Sequence, residues 1–232
     1  MVFRTALLAL ALPALFACSG HGTEGSSAAS TGPSTPRGSA GSEAVARQPQ
    51  QLTEAQLEDT LPASSDLSAI FSPMQASQSR KDDASFLCGA DVDHLDSRNA
   101  GAKVGYVAQV GFSATRYSFG ISQFDSPAAA VEQIQALGDA IDSCTTFIAN
   151  GDTYTVAPFS GAGSDDDTIA VQATTKSAGF AVDVSMLMVR TGSSLVASLS
   201  STVGLAEGST IDDIVRLSQK TVDRYEAAAG IA

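Results

Sequence analysis

The side chains best suited to chemistry in this sequence are its three cysteines, Cys18, Cys88 and Cys144. A cysteine can carry a lipid, form a disulfide, bind a metal or act as a nucleophile, and the last role needs a neighbouring base or cation that lowers the thiol pKa. No histidine, lysine or arginine lies beside Cys88 in "FLCGA" or Cys144 in "DSCTT". The sequence therefore favours structural or processing roles for these cysteines, and we predict no catalytic residue.

Cys18 ends an apolar leader. Residues 1–17 contain Arg4 and then an uninterrupted apolar run from Ala6 to Phe16, which is typical of an export signal and too short for a transmembrane helix of about 20 residues. The "LFAC" stretch resembles a bacterial lipobox, which predicts cleavage before Cys18 and a diacylglycerol on its sulfur. The mature protein would then be lipid-anchored at the extracytoplasmic face of the cell membrane. The alternative is a plain secretory signal cut near Ala17, with Cys18 a free thiol.

Assigning Cys18 to the membrane leaves Cys88 and Cys144 as an even pair in an exported chain, and oxidising compartments favour a disulfide. By chain entropy, closing this loop of about 57 residues stabilises the fold by roughly 4 kcal/mol. Two unpaired buried thiols are the alternative.

Two acidic clusters are the other candidates for chemistry. "GADVDHLDS" places His94 among Asp91, Asp93 and Asp96, but this spacing matches no EF-hand loop, and a solvated turn is the simpler interpretation. "GSDDDT" (residues 163–168, with Asp165, Asp166 and Asp167) is interpreted as a hydrated hairpin tip rather than a weak calcium site. The chain has no G-x-S-x-G elbow and no Walker lysine motif. We therefore predict no metal, no cofactor and no enzymatic activity.

Charge excludes one class of partner. The chain has 13 Lys and Arg against 25 Asp and Glu, a formal net charge of -12, so a nucleic-acid backbone would be repelled over most of its surface.

The stretch from residue 18 to 51 is rich in Ser, Gly, Ala, Thr and Pro. Such a composition cannot bury enough apolar surface to offset the entropy of ordering, so we predict a disordered tether with a reach of roughly 30 Å. Residues 52–232 then form the folded domain.

Elements in this domain follow from hydrophobic periodicity. Thr53 is a candidate N-cap of a short helix with Leu52, Leu57 and Leu61, and "DSPAAAVEQIQALGDAIDSC" predicts a helix capped by Ser126 with Pro127 at its first position. Its apolar face comprises Ala130, Ile134, Leu137, Ile141 and Cys144. Alternation in "KVGYVAQVGF" and "TRYSFGISQF" predicts a hairpin joined near Ser113 and Ala114.

Four further strands are predicted in "TYTVAPF", "TIAVQATT", "FAVDVSMLMV" and "SLVASLSSTV". A last helix starts at Thr210, with a buried face of Ile211, Ile214, Val215, Val222 and Tyr225. We predict an α+β fold in which an antiparallel sheet of about six strands carries the two longer helices on one face.

Residues 52 to about 228 resemble the PknH-like extracellular sensor domain, which occurs outside some mycobacterial serine/threonine kinases and in actinobacterial lipoproteins. The resemblance rests on "LTEAQLEDTLPASSDLSAIF", on the cysteine in "FLCGA", on the stretch from Phe124 to Cys144, and on the last helix. It implies an α+β domain braced by disulfides, with a cleft for a small ligand. The family does not supply the ligand's identity.

The sequence thus predicts a membrane-anchored, non-catalytic sensor-like domain that binds a small molecule or an envelope component. One alternative is an interaction protein that docks to a cell-envelope partner. A third and weaker hypothesis is an envelope hydrolase built around His94.

Overall fold

The computed structural model of the chain describes residues 50–74, 86–91, 97–149, 151–159, 167–204 and 211–231. These residues form three α-helices, a single 3-10 turn at Ser64–Asp66 and ten strands. The helices are α1 (Glu54–Thr60), α2 (Pro127–Asp142) and α3 (Ile211–Ala229). The strands are β1 (Ser72–Pro73), β2 (Phe86–Leu87), β3 (Ala90–Asp91), β4 (Ala100–Val110), β5 (Ser113–Gln123), β6 (Thr146–Ala149), β7 (Asp152–Pro158), β8 (Thr168–Ser177), β9 (Phe180–Thr191) and β10 (Ser194–Val203).

One antiparallel sheet forms the centre of the molecule, in the order β1-β4-β5-β10-β9-β8-β7-β6. The predicted α+β class is confirmed, with eight strands in place of about six. The additional strands are β1, with 2 residues, and β6, with 4, which are too short to show an alternation in the sequence. β2 and β3 pair separately as a small hairpin.

The β4–β5 hairpin is confirmed, but its turn lies at Gly111 and Phe112, two residues before the predicted position. Gly111 has a φ of +61°, a conformation that glycine adopts without steric cost. The alternation that buries Tyr106 and Ala108 ends before the turn, because Val110 is 68% exposed and Phe112 is 91% exposed.

The two longer helices pack on opposite faces of the sheet, so the prediction of one shared face is wrong. Met186 and Met188 of β9 join the core cluster of α2, whereas Leu187, between them, joins the cluster of α3. Adjacent residues of a strand point to opposite faces, so each helix covers its own side. The sequence concealed this because a strand buried on both faces is apolar at successive positions, as in "SMLMV".

Helix α1 begins where the sequence predicts. The Thr53 side chain accepts a hydrogen bond from the Gln56 amide, and the Gln56 side chain accepts from the Thr53 amide, so the two form a capping box. Leu52, Leu57 and Leu61 are buried against the α3 side of the sheet.

Helix α2 has Ser126 as its N-cap and Pro127 in its first turn, as predicted, with Ala130, Ile134 and Leu137 buried. In α3, Ile214, Val222 and Tyr225 are buried as predicted, but Val215 is 39% exposed. Leu217 and Thr221 occupy the buried face instead. The predicted cap Thr210 lies outside the described residues.

Candidate ligand-binding face

The sheet face that carries α3 is closed by helices and buried side chains. α1 packs on β4, while α3 packs on β9 and β10. At one end of this face, the Tyr225 hydroxyl accepts hydrogen bonds from Ser194 Oγ at 2.8 Å and from Gln123 Nε2 at 3.2 Å. Gln123 Oε1 in turn accepts from the Leu52 amide at 3.0 Å. Buried polar groups are therefore satisfied by one another on this side of the sheet.

Among the described residues, α2 is the helix that covers the opposite face. α2 packs on β8, β9 and β10, where it buries Val171, Met186 and Leu195. On the same face of β4 and β5, the side chains are only half-buried. This region, here called the open face, consists of Gly101, Lys103, Gly105, Val107, Arg116, Ser118 and Gly120.

The open face carries three glycines, and two of them accommodate neighbouring side chains. A Cβ at Gly101 would lie 3.1 Å from Arg98 Nη1, and one at Gly105 would lie 3.3 Å from Met74 Sδ. Gly120 differs, because a Cβ there would meet only ordinary contacts, at 3.6 Å from the Ala102 carbonyl oxygen and 4.0 Å from Lys103 Cγ. Packing among the described residues therefore does not require a glycine at position 120.

The polar groups of the open face are two cations and one hydroxyl. Lys103 lies opposite Gly120 on the neighbouring strand, and Arg116 lies opposite Val107. Ser118 lies between Gly120 and Arg116 on this side of β5. The open face carries no carboxylate, although the whole chain has 25 Asp and Glu. It can therefore donate hydrogen bonds and offer positive charge to a ligand.

Sequence analysis did not single out Lys103 or Arg116. The signal was present in "TRYSFGISQ", where Arg116, Ser118 and Gly120 alternate with the buried Tyr117 and Phe119. The alternation predicts only that these positions lie on the face of β5 opposite to Tyr117 and Phe119. In the structure they lie on the α2 side of the sheet, where α2 packs on β10, the strand next to β5.

The predicted disulfide is confirmed. Cys88 and Cys144 are bonded, with their Cα atoms 5.8 Å apart. Cys88 lies in the β2–β3 turn with a φ of 56°, and Cys144 follows the C-terminal end of α2. The bridge therefore fixes the β2–β3 hairpin to the end of the helix that borders the open face.

The remaining sequence candidates lie mostly outside the described residues. Cys18, Asp93, His94 and Asp96 belong to that group, as do Asp165 and Asp166, and the side chain of Asp91 is not described either. Asp167 is described, and its carboxylate accepts a hydrogen bond from Arg190 Nε at 2.7 Å. Within the described ranges, no three His, Cys, Asp or Glu residues are grouped so that they could hold a metal ion.

Asp66 has a strongly lowered pKa. Its side chain is 5% exposed and lies 2.5 Å from Lys220 Nζ and 2.9 Å from Arg224 Nη1. Burial disfavours the ionised carboxylate, but hydrogen bonds from Lys220, the Ala63 amide and Arg224 outweigh it and lower the Asp66 pKa from 3.8 to about 2. This cluster lies on the α3 side and joins the segment after α1 to α3.

No helix in the described ranges is long and apolar enough to cross a membrane.

Comparisons with known proteins support the fold alone. No protein-family model matches the chain, and no curated protein matches it. The crystal structure of the extracellular domain of PknH from Mycobacterium tuberculosis is similar, with a TM-score of 0.56, 18% identity, and coverage of 77% of this chain and 98% of that one. The resemblance seen in the sequence is thus confirmed at the level of the fold.

Two other solved structures are more distant. CalU16 from Micromonospora echinospora has a TM-score of 0.29 and 10% identity, covering 57% of this chain and 98% of that one. An uncharacterised protein from Mycobacterium smegmatis has a TM-score of 0.35 and 11% identity, covering 75% of this chain and 95% of that one.

Proposed function

We propose that this chain, which shares its fold with the extracellular domain of a kinase, is a non-catalytic sensor-like protein that binds a small molecule or an envelope component on its open face. The observation that carries the proposal is the unequal covering of the sheet. Within the described residues, helices α1 and α3 cover one side of the sheet, whereas α2 packs on β8, β9 and β10 of the other side and the residues of β4 and β5 there are half-buried. Ligand sites are concave surfaces with a few polar groups that fix orientation, and the open face offers two cations and a hydroxyl beside a helix.

The proposal places the protein at the extracytoplasmic face of the membrane, held there by a lipid on Cys18. Support comes from the apolar leader, the "LFAC" motif and the tether composition. The Cys88–Cys144 bridge is consistent with export, because disulfides persist in oxidising compartments. A sensor anchored in this way would pass its signal to another protein of the envelope.

Thermal unfolding of the purified protein tests the ligand-binding proposal. A ligand that binds only the folded state raises the free energy of unfolding by about 2.7 kcal/mol at a concentration 100 times its Kd, and the unfolding midpoint rises with it. The panel would contain glucose, glycerol, citrate, glycerol 3-phosphate and muramyl dipeptide.

A variant that fills the open face supplies the control for position. Gly120→Leu should abolish the shift without loss of fold, because a Cβ is tolerated at this position. Thr174→Leu, at an exposed position of β8, adds comparable bulk elsewhere and should leave the shift unchanged. A shift that persists in Gly120→Leu would remove the open face from the proposal.

One observation favours a second function, that of an interaction protein docking to an envelope partner. Phe112 at the β4–β5 turn is 91% exposed, and the adjacent Val110 is 68% exposed. Exposed apolar side chains that lie together form the kind of patch that marks a protein–protein interaction site. If no compound shifts the midpoint, and Phe112→Ser abolishes crosslinking to one envelope protein in cells, this second function replaces the first.

A further inference from the structure

We infer that the ligand of the open face is an anion, bound through a phosphate or carboxylate group by Arg116 with Lys103 in support. This inference rests on the proposed function and specifies the chemical class of the ligand. Its starting point is the contrast between an acidic chain, with a net charge of -12, and a region of sheet that carries only cations.

Arg116 is exceptional among the arginines and lysines. Most other described cations have carboxylate partners: Arg190 pairs with Asp167, Arg216 with Asp213, and both Lys220 and Arg224 with Asp66. Within the described ranges, only Arg116 and Lys176 form no side-chain hydrogen bond or ion pair. Lys176 is exposed and needs no partner, whereas Arg116 is half-buried on the open face.

Partial burial of the Arg116 guanidinium costs desolvation free energy, which an anionic ligand would offset. Partial burial removes water from the charge, and the cost is recovered when another group supplies the missing hydrogen bonds. Guanidinium presents a planar fork of donors that matches carboxylate and phosphate oxygens. The neighbouring side chains of the open face cannot serve as the counter-charge, because none is a carboxylate.

Carboxylates of the adjoining helix do not neutralise the open face either. Glu132, Asp139 and Asp142 of α2 are all exposed rather than packed against the sheet. Ser118 lies between the two cations and can donate a further hydrogen bond.

The spacing of the cations sets the size of the site. Gly120 faces Lys103, and Arg116 lies four residues before Gly120 on β5, so the two backbone positions are about 14 Å apart along the strands. Long side chains shorten this distance, and Gly105, Ser118 and Gly120 form the surface between them. Met74, 38% exposed beside Gly105, adds an apolar contact. A small organic anion therefore fits better than a long polyanion.

Calorimetric titration of the purified protein with glycerol 3-phosphate and citrate, using glycerol as the neutral control, tests this inference. Arg116→Gln should weaken anion binding about tenfold or more, the effect of losing a charged hydrogen bond. Arg116→Lys should retain part of the affinity. Lys176→Gln makes the same change in net charge at an exposed site and should leave the affinity unchanged.

Anionic lipid is a second source of the same chemistry. The test is cosedimentation of the protein with vesicles of phosphatidylglycerol and, separately, of phosphatidylcholine. Sedimentation with phosphatidylglycerol vesicles alone, abolished by Arg116→Gln, would assign the anion to a lipid headgroup. Binding that weakens severalfold between about 50 and 500 mM salt supports the inference without any variant.

The outcomes separate the inference from the proposed function. If glycerol or glucose binds and Arg116→Gln has no effect, the protein binds ligands but the anion inference is wrong. Anion binding that is equal in wild type and Arg116→Gln also overturns the inference. If nothing in the panel binds, both the inference and the proposed function fail.

Discussion

At the scale of single residues, Asp66 shows how one carboxylate can join two parts of a fold. It accepts hydrogen bonds from Lys220 and Arg224 of α3 and from the Ala63 amide. The side chain is 5% exposed, whereas Lys220 and Arg224 are 44% and 34% exposed. The cations therefore keep much of their hydration, and loss of the carboxylate would leave neither of them deeply buried.

We predict that Asp66→Asn lowers the free energy of unfolding by about 2 kcal/mol at pH 7. Because the folded-state pKa is depressed from 3.8 to about 2, the stabilisation is fully present above pH 4 and is lost as pH falls from about 4 to 2. Urea denaturation of the wild type and of Asp66→Asn at pH 7, 4 and 2.5 measures the difference in their free energies of unfolding.

Asp213→Asn is the matched control for this prediction. Asp213 pairs with Arg216 at 3.0 Å and accepts a long hydrogen bond from the Tyr117 hydroxyl at 3.4 Å. Because its side chain is 35% exposed and an asparagine oxygen can still accept from Tyr117, its replacement should cost about 1 kcal/mol or less. Equal losses in the two variants, or a loss in Asp66→Asn that does not change with pH, would contradict this account of Asp66.

Tyr225 supplies a second residue-scale prediction. Tyr225→Phe should destabilise the protein by about 1 to 3 kcal/mol, because Gln123 and Ser194 are both 0% exposed and would each lose a hydrogen-bond acceptor. Tyr154→Phe is the control, since the Tyr154 hydroxyl has no partner among the described residues and its ring still stacks on Phe147 at 5.0 Å. Chemical denaturation should give a lower free energy of unfolding for Tyr225→Phe than for Tyr154→Phe. An unchanged free energy of unfolding in Tyr225→Phe would mean that the hydrogen-bond network does not stabilise the fold.

At the scale of elements, the disulfide reinforces the packing of the β2–β3 hairpin against α2. The β2–β3 hairpin has two residues in each strand, and Leu87 attaches it to the core beneath α2. Such a short hairpin is marginal without further support. The bridge to Cys144 holds it beside the end of α2.

Removal of the bridge should therefore be costly. The double variant Cys88→Ser, Cys144→Ser should lose up to about 4 kcal/mol of stability, as expected for a closed loop spanning a sequence separation of 56. Thermal unfolding of the wild type with and without dithiothreitol provides the comparison. If the reductant lowers the midpoint of the double variant as much as that of the wild type, the effect does not come from this bridge.

Elements with strong local signals could be predicted from the sequence. Thr53 and Ser126 cap their helices as expected, and the strand "SLVASLSSTV" coincides with β10. The placement of α2 could not be predicted, because β9 is apolar on both sides and local periodicity does not assign a helix to a face. The open face could not be predicted for the same reason: whether Arg116 lies on the α2 side or the α3 side of the sheet depends on the placement of the two helices.

At the scale of the whole molecule, the chain enters the domain at one end of the sheet. The Gln50 amide donates to the Ala229 carbonyl oxygen at 3.0 Å, and the Leu52 amide is bound by Gln123 at the end of β5. The β4–β5 turn with Phe112 lies at the other end of that strand. A tether that precedes residue 50 would therefore join the domain at the end remote from this turn.

The proposed lipid anchor is tested on the intact protein. Cys18→Ser should abolish incorporation of a clickable fatty acid and shift the protein from the membrane fraction to the soluble fraction, because two acyl chains supply the membrane affinity. Cys88→Ser, which leaves Cys18 in place, is the control and should still be labelled. Label on Cys18→Ser equal to that on the wild type would contradict lipidation at this position.

The central claim is that a small molecule binds on the open face. The most direct measurement is the change in backbone amide NMR shifts of the purified protein on titration with the compound that binds most tightly. We predict that the largest changes occur at Lys103, Gly105, Arg116, Ser118 and Gly120, with little change at the β4–β5 turn or in α3. Changes centred on Phe112, or on the α3 side around Asp66, would contradict the claim.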